Sequence, residues 1–158
     1  MKRSDFFQFT NGPKIPLPFS DKEYENRLKS LRRIMGKVLK VGLIGVGSIA
    51  SRRHLPAWGK ERRAAVVSIS DVDTQRAKRV AAQFGIKRVY EDYREMIAKE
   101  ELDICDICTR SGTHVSVAKI CLDLGAHVIS EKPMAMTYES GRELFEVIQS
   151  CPKRYTVV

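Results

Sequence analysis

From Lys37 to the end of the chain, short apolar runs alternate with longer amphipathic stretches. The apolar runs are rich in β-branched residues, which is typical of strands, and the stretches between them have helical spacing. The predicted strands are VLKVGLI, AAVVSIS, KRVY, LDICDIC, HVIS and YTVV. The predicted helices run from a glycine turn to about Trp58, from Asp73 to about Phe84, over EDYREMIAKE, from Thr113 to about Leu124, and over TYESGRELFEVIQ.

Six strands with helices between them form the pattern of parallel, right-handed β-α-β units. AAVVSIS and HVIS are β-branched runs, which suit strands that are buried on both faces of a sheet. We therefore predict an α/β fold for residues 37–158, with a doubly wound parallel sheet, known as the Rossmann fold.

The first part of the chain departs from this pattern. Residues 1–19 hold three of the six prolines and have no periodicity, so they predict an extended arm. Ser20 and Glu23 form a capping-box signature, which predicts a helix through DKEYENRLKSLRRIM that ends at Gly36. We expect residues 1–36 to form an arm and a basic helix that precede the domain.

The net charge of +9 is unevenly distributed. Residues 1–40 carry ten Lys/Arg and four Asp/Glu, whereas residues 41–158 carry eighteen and fifteen. A basic extension can attract RNA, a membrane surface or an acidic partner, but such binding is unspecific and salt-sensitive without a recognition motif. A solvated helix face and tail is the favoured interpretation, and we expect no specific nucleic-acid partner.

Composition and cysteine usage indicate the compartment. No apolar run approaches the roughly 18 residues of a membrane span, and the N-terminus lacks the apolar region of a signal peptide. Cys105 and Cys108 lie on a predicted strand, which separates their α-carbons by about 10 Å, too far for a disulfide. Cys121 and Cys151 stand apart, so there is no zinc-ligand spacing. We expect buried thiols, no metal site, no membrane contact and a cytoplasmic protein.

The turn Gly45-x-Gly47-x-x-Ala50 carries the first functional signal. A strand precedes it directly and a helix follows, which is the context that a dinucleotide-binding turn requires. Gly45 permits the sharp turn, Gly47 lets the backbone approach a pyrophosphate, and Ala50 lets the helix lie close to the strand. The helix N-terminus then directs its unpaired N–H groups toward the phosphates.

An acid follows the second strand at the expected spacing. Asp71 lies twenty-one positions after Ala50, against about twenty in dinucleotide-binding domains. A carboxylate there accepts both ribose hydroxyls of NAD and repels the 2′-phosphate of NADP unless an arginine compensates. Arg76 lies one helical turn away, so the sequence favours NAD and leaves NADP as the alternative.

Two further strand ends carry polar residues. Ligands of an open parallel sheet bind outside the carboxyl ends of its strands, so CTRSGTH and SEKPM should face one crevice. Thr109, Ser111 and His114 offer hydrogen bonds in the first segment. Glu131 and Lys132 lie in the second, where a lysine beside a cationic cofactor can exchange a proton near neutral pH. A solvated Glu-Lys pair before a helix-starting proline is the equal alternative.

The chain resembles the N-terminal half of the Gfo/Idh/MocA oxidoreductases in the order and spacing of four segments. These segments are GVGSIASRRHLPAW, SISDVD, CTRSGTH and AHVISEKPMAMTYESG. The resemblance covers about residues 37–158. The segments CTRSGTH and EKPMA are most similar to the corresponding segments of family members that oxidise sugar-nucleotide uronic acids. Arg110 departs from the family pattern, which usually has proline at that position.

The resemblance implies roles for individual residues. The pyrophosphate would be held by Gly45, Gly47, Ser48 and Ile49, and the adenine ribose by Asp71. Thr109, Ser111 and His114 would line the cofactor toward the nicotinamide, and Glu131 and Lys132 would flank the nicotinamide ribose. Lys132 would be the catalytic lysine, and its bond to Pro133 would be cis.

Family members continue into a second domain that binds the substrate and contributes an Asp and a His. The sequence ends within the predicted sixth strand, so we expect that domain to be absent and this part alone not to catalyse hydride transfer. One hypothesis is the cofactor-binding half of an oxidoreductase acting on a sugar, sugar-nucleotide or polyol hydroxyl, which needs a second domain to bind that substrate. The other is a stand-alone NAD-binding sensor or partner-binding module. The oligomeric state, a homo-oligomer included, stays open.

Overall fold

The computed structural model describes residues 37–158; the predicted arm and the helix capped by Ser20 lie outside this range. The strands are β1 (Leu39–Ile44), β2 (Ala64–Ser70), β3 (Arg88–Tyr90), β4 (Ile104–Ile107), β5 (His127–Ser130) and β6 (Tyr155–Val157). A π-helical turn over Ala50–His54 leads into α1 (Leu55–Trp58), and the later helices are α2 (Thr74–Phe84), α3 (Tyr93–Glu100), α4 (His114–Asp123) and α5 (Tyr138–Ser150). The predicted elements are confirmed within a few residues.

The strands form one parallel sheet in the order β3-β2-β1-β4-β5-β6. After β3 the chain crosses over β2 and β1 to begin β4 beside β1, so the winding direction reverses between β1 and β4. This order is that of a doubly wound Rossmann sheet, and it confirms the predicted fold class. The reversal opens a crevice at the carboxyl ends of β1 and β4, where ligands of such sheets bind.

Helices cover both faces of the sheet. Adjacent residues of β1 show this directly, because Leu43 packs with α1 and α2 on one face and Ile44 packs with α3, α4 and α5 on the other. Both side chains are almost completely buried. Strands that bury both faces need apolar residues at successive positions, which explains the continuous apolar runs in the sequence.

Local signals set the helix ends. The side chain of Asp73 accepts a hydrogen bond from the Arg76 amide at the start of α2, and Gly85 ends that helix in the left-handed conformation at φ 71°. Thr137 and Ser140 form a reciprocal capping box at the start of α5. Such caps satisfy amides that a helix leaves unpaired.

The four cysteines are free thiols. Cys105, Cys108 and Cys121 are buried, as predicted, while Cys151 is partly exposed because it ends α5 at the periphery of the domain. Among residues 37–158, no helix is long and apolar enough to cross a membrane.

Candidate functional site

The turn after β1 contains two glycines with different geometries. Gly45 has φ of 84°, and a Cβ there would lie 2.9 Å from the Thr109 nitrogen and 3.0 Å from the Cys108 carbonyl carbon. Backbone atoms cannot move aside as a flexible side chain can, so only glycine fits at this position. A Cβ on Gly47 would meet nothing within 4 Å, so this side of the turn is open to a ligand.

The helix that follows presents its first amides at this opening. The Ser51 amide donates to the Gly47 oxygen at 3.1 Å, which is the first helical hydrogen bond. The amides of Ser48, Ile49 and Ala50 precede that bond and are available to an anion. Ser48 and Ile49 are exposed at the crevice, whereas Ala50 is fully buried against the sheet. The turn therefore combines free amides, open space and close packing, as a pyrophosphate site requires.

Asp71 lies directly after β2 and is largely buried. Its carboxylate accepts hydrogen bonds from the amides of Val46, at 2.8 Å, and Asp73, at 2.9 Å. The Arg76 guanidinium also donates to it, with Nη2 at 2.6 Å and Nε at 3.2 Å. Burial opposes ionisation, but the hydrogen bonds from Arg76 and the two amides outweigh it and lower the pKa of Asp71. The acid predicted to hold the ribose is thus ionised and already paired with an arginine.

The segment after β4 carries Thr109, Ser111 and His114. The Thr113 hydroxyl donates to the Thr109 hydroxyl at 2.8 Å, and Ser111 begins a short 3-10 turn. Arg110, where the resemblance predicts proline, has φ of −67° and ψ of 143°. These are the angles that proline itself adopts, so the loop keeps the conformation expected of a proline-containing one.

His114 is 1% exposed, so its imidazole is not free to line an open crevice. Its Nδ1 lies 2.9 Å from the Pro133 oxygen and its Nε2 lies 3.0 Å from the Thr109 oxygen. The ring therefore lies between the loop after β4 and the loop after β5, and each tautomer of a neutral ring donates to one of these two oxygens. Its assignment to the cofactor stays a prediction.

The loop after β5, residues 131–133, is here named the Lys132 loop. The Glu131 amide donates to the Ile107 oxygen at 2.9 Å, which anchors the loop to β4. The Lys132 side chain is exposed, and its bond to Pro133 is cis, as the resemblance predicted. The Glu131 side chain is only 14% exposed and turns back toward the sheet.

The Glu131 carboxylate reaches a buried network that sequence reasoning missed. His54 lies between two acids, with Nδ1 2.9 Å from Asp106 Oδ2 and Nε2 3.0 Å from Glu131 Oε1. Trp58 Nε1 donates to Asp106 Oδ2 at 2.7 Å. The hydrogen bond with Asp106, followed by that with Glu131, outweighs the effect of burial and raises the pKa of His54 to about 9. His54 is therefore an imidazolium near neutral pH, and it lowers the pKa of Glu131.

A signal for this network is present in the sequence. Asp106 interrupts the apolar strand LDICDIC, and a charge on a strand covered on both faces needs a buried partner. The partners, His54 and Trp58, lie about fifty positions earlier, on the segment that follows the glycine turn. The alternation of the strand is visible in the sequence, but the pairing depends on the parallel contact between β1 and β4.

Within residues 37–158, one group of side chains lies close enough together to hold a metal ion: His54, Asp106 and Cys108. A ligating histidine must be neutral and a ligating cysteine must be a thiolate. A metal ion would have to displace the proton of His54, whose pKa is raised to about 9, and that of Cys108, whose pKa burial raises well above its usual range. In this structure the three side chains are joined by hydrogen bonds, with His54 2.9 Å from Asp106 and Cys108 3.7 Å from it.

Comparison with known proteins gives a consistent result. Residues 39–158 match the model of the oxidoreductase family GFO_IDH_MocA, described as an NAD-binding Rossmann fold. The chain is 36% identical over 108 residues to D-apiose dehydrogenase from Paraburkholderia graminis, which covers 68% of this chain and 28% of that protein. It is 28% identical over 115 residues to D-glucoside 3-dehydrogenase from Escherichia coli, which covers 73% of this chain and 33% of that protein.

Solved structures agree with the sequence matches. The WlbA dehydrogenase from Bordetella pertussis, in complex with NADH and UDP-GlcNAcA, superposes with a TM-score of 0.71 at 31% identity, over 77% of this chain and 37% of that one. A 3-ketoreductase from Actinomadura kijaniata, in complex with TDP-benzene and NADP, gives 0.68 at 30% identity, over 73% and 36%. The chain spans about a third of the length of the relatives that it matches.

Proposed function

The chain belongs to the Gfo/Idh/MocA oxidoreductase family and carries its NAD-binding Rossmann domain, and on this premise we propose the following function. Residues 37–158 hold the cofactor of an enzyme that transfers hydride to or from a hydroxyl-bearing carbon of a sugar, sugar nucleotide or polyol. NAD supplies the hydride-accepting ring of that reaction when it is bound.

One observation carries the proposal: the open side of the glycine turn. Gly47 has no atom within 4 Å of where its Cβ would be, directly beside the free amides of Ser48 and Ile49. Phosphate oxygens fit there without displacing protein atoms, and the helix N-terminus favours their charge. Gly45 keeps the turn close to the loop after β4, so the two edges of the crevice stay together.

The other predicted contacts follow the strand order. Asp71 is at the end of β2, beside the turn, and is assigned to the adenine ribose. Thr109 and Ser111 follow β4 on the other side of the reversal point, and Glu131 and Lys132 follow β5. A dinucleotide that extends across the carboxyl ends of β2, β1, β4 and β5 passes these residues in that order.

Lys132 is the proposed catalytic residue. It is exposed at the carboxyl end of β5, on a loop anchored to β4, so its ammonium is free to reach a substrate hydroxyl beside the nicotinamide. There it orients the hydroxyl; as a neutral amine it takes the hydroxyl proton when hydride leaves the carbon, and as an ammonium it returns a proton to the oxygen when hydride arrives. The substrate class is supported by the relatives, whose names include an apiose dehydrogenase and a glucoside dehydrogenase.

The cysteines and the charge balance support a cellular location and a class of binding partner. The free cysteines support a reducing compartment, and we propose a cytoplasmic location. The small charge excess of residues 41–158, eighteen basic against fifteen acidic side chains, supports a small-molecule partner over nucleic acid.

The test uses Trp58, the single tryptophan of the chain, as a donor of excitation energy. NADH and NADPH are titrated into the protein while Trp58 is excited and nicotinamide emission is recorded. We expect saturable energy transfer with tighter binding of NADH. Absence of saturation with either cofactor by the folded chain would contradict the proposal.

Catalysis is tested separately after a substrate-binding domain has been joined to this chain, with NAD and a panel of an aldose, a UDP-uronic sugar and inositol. The proposal predicts reduction of NAD with one of these classes by the joined protein and its loss in Lys132→Met, with the surface variant Lys99→Met as control. Cofactor binding without turnover of any substrate by the joined protein would support a binding module instead of an enzyme.

A further inference from the structure

We propose that His54, held between Asp106 and Glu131, is the positioning residue of the Lys132 loop and thereby keeps the Lys132 backbone in place at the cofactor crevice. This inference rests on the proposed function, because the Lys132 loop is assigned there to the cofactor and the substrate. The His54 side chain is 10% exposed and both of its ring nitrogens are paired with acids, so it acts through Glu131 and not by touching a ligand.

The two acids hold His54 differently. Asp106 is fully buried, places both oxygens within 3.0 Å of His54 Nδ1, and accepts a further bond from Trp58. Glu131 is partly exposed and offers one oxygen to Nε2. The bond with Asp106 is therefore the stronger, and the bond with Glu131 is the one that water can replace.

Loss of one proton from His54 affects the two acids unequally. A neutral imidazole keeps a single N–H, and the buried Asp106 requires that donor because no water can replace it. The Nε2 lone pair then faces the Glu131 carboxylate, and two acceptors cannot form a hydrogen bond. The Glu131 side chain is expected to leave His54 and turn toward solvent.

The movement of Glu131 reaches Lys132 through the backbone. The second oxygen of Glu131 accepts a hydrogen bond from the Lys132 amide at 3.0 Å, so the carboxylate holds the lysine backbone on one side and His54 on the other. His114 holds the Pro133 oxygen at the far end of the loop. Release of Glu131 therefore frees the middle of a loop whose two ends stay fixed.

The other titratable groups near His54 do not change charge in the pH range where His54 loses its proton. Asp106 faces it from β4, Cys108 lies just beyond the end of β4, and Glu131 faces it from the loop after β5. The pKa of Cys108 is raised by burial, so its thiol stays neutral where His54 loses its proton. His54 is thus the group of this network that changes charge on the alkaline side of neutrality.

Two measurements on the 158-residue chain test the inference. The ¹⁵N shift of His54 Nε2 and the amide shift of Lys132 are followed by NMR from neutral pH upward, and the NADH dissociation constant is measured over the same range. We expect the Lys132 amide to move with the same midpoint as the ring, near pH 9. NADH affinity should fall about tenfold across that midpoint, the effect of losing one charge-assisted hydrogen bond.

Variants separate positioning from stability. In His54→Gln the weak affinity of the alkaline state should already be present at neutral pH, with no further step near pH 9. In Glu131→Gln the side-chain NH2 group can donate to a neutral ring while the side-chain oxygen accepts from the Lys132 amide, so the Lys132 amide should stay held on the alkaline side of the midpoint. His127→Gln is the matched control, since His127 lies at the start of β5 and its Nδ1 accepts a hydrogen bond from Arg154. That variant should match the wild type in both measurements.

The possible results are distinguishable. A Lys132 amide that does not follow the titration of His54, in a chain that binds NADH, overturns the inference and leaves the proposed function intact. A chain that binds no NADH at any pH contradicts the proposed function, while the NMR coupling still tests the positioning role. A His54→Gln variant that is less stable but retains the wild-type pH dependence also overturns the inference.

Discussion

The guanidinium of Arg76 lies against the carboxylate of Asp71, with Nη2 2.6 Å from Oδ1 and Nε 3.2 Å from Oδ2. The amides of Val46 and Asp73 occupy the same two oxygens, so the carboxylate has little acceptor capacity left. If Asp71 binds the adenine ribose as proposed, the ribose hydroxyls must therefore displace Arg76. Its side chain is 40% exposed and can move outward, where a 2′-phosphate would meet a cation instead of an acid.

Removal of this guanidinium should alter the choice of cofactor. In Arg76→Gln we expect NADH to bind a few-fold more tightly, because the hydroxyls no longer compete with a bidentate ion pair. NADPH should bind at least tenfold more weakly, since its phosphate loses a cation near Asp71. Fluorescence titration with both cofactors measures the ratio. An unchanged ratio would mean that Arg76 does not contribute to cofactor selection.

Replacement of Gly45 by alanine should make the domain less stable, because of the backbone conformation at this position. Gly45→Ala adds a Cβ at φ of 84°, and that atom lies 2.9 Å from the Thr109 backbone. The left-handed conformation alone costs about 1–2 kcal/mol, and the contact adds to it. We expect the free energy of unfolding in urea to fall by at least about 2 kcal/mol. Gly59→Ala is the control, because Gly59 has φ of −60° and room for a Cβ, and it should stay within about 0.5 kcal/mol of the wild type.

His54 gives the stability of the domain a defined pH dependence. Its pKa is about 9 in the folded chain and 6.5 as a free side chain, so the charged form is favoured by folding. The contribution is therefore complete below about pH 6.5 and is lost as the pH rises through about 9. For a side chain that is 10% exposed, this difference corresponds to about 3 kcal/mol. Urea denaturation at a series of pH values measures it.

The corresponding variant isolates the effect. In His54→Gln the alkaline loss of stability should be largely absent, because Gln does not titrate, and the variant should be less stable than the wild type at neutral pH. If both proteins lose stability in parallel from neutral pH to about pH 10, another group is responsible and His54 is not the titrating residue.

Replacement of His114 should lower the free energy of unfolding, because its ring lies between the loops after β4 and β5. His114→Phe leaves the oxygens of Thr109 and Pro133 without their imidazole partner, and we expect a loss of about 2–4 kcal/mol in the free energy of unfolding. His114→Asn retains a donor near the position of Nδ1 and should lie between the two. A Phe variant as stable as the wild type would show that the imidazole is not needed to join the loops.

Much of this architecture could be predicted from the sequence, because each of its determinants is local. The turn at Gly45 needs residues within a few positions, and Asp73 and Thr137 cap the helices that they precede. Parallel strands covered on both faces produce apolar runs such as HVIS, which forms β5 with the predicted bounds. The handedness of β-α-β units then fixes the side of the sheet on which each helix crosses.

The pairings across the site could not be predicted in the same way. Asp71 was identified as a ligand for ribose, but its occupation by Arg76 depends on the position of α2 relative to the turn. His114 is predicted to line the cofactor, and nothing in the sequence indicates that its ring also lies between two backbone oxygens. The bridge from His54 to Asp106 and Glu131 joins three separate segments, and it exists only because β4 lies between β1 and β5.

Calorimetric titration of NAD into the wild-type chain and into Gly47→Val tests the central claim most directly. A valine at this position meets no protein atom within 4 Å at its Cβ, so it should fill the proposed pyrophosphate site without unfolding the chain. Gly59→Val is the control outside the crevice. The account predicts binding by the wild type and the control and its loss in a folded Gly47→Val. Binding that is equal in all three would contradict the assignment of the glycine turn to the cofactor.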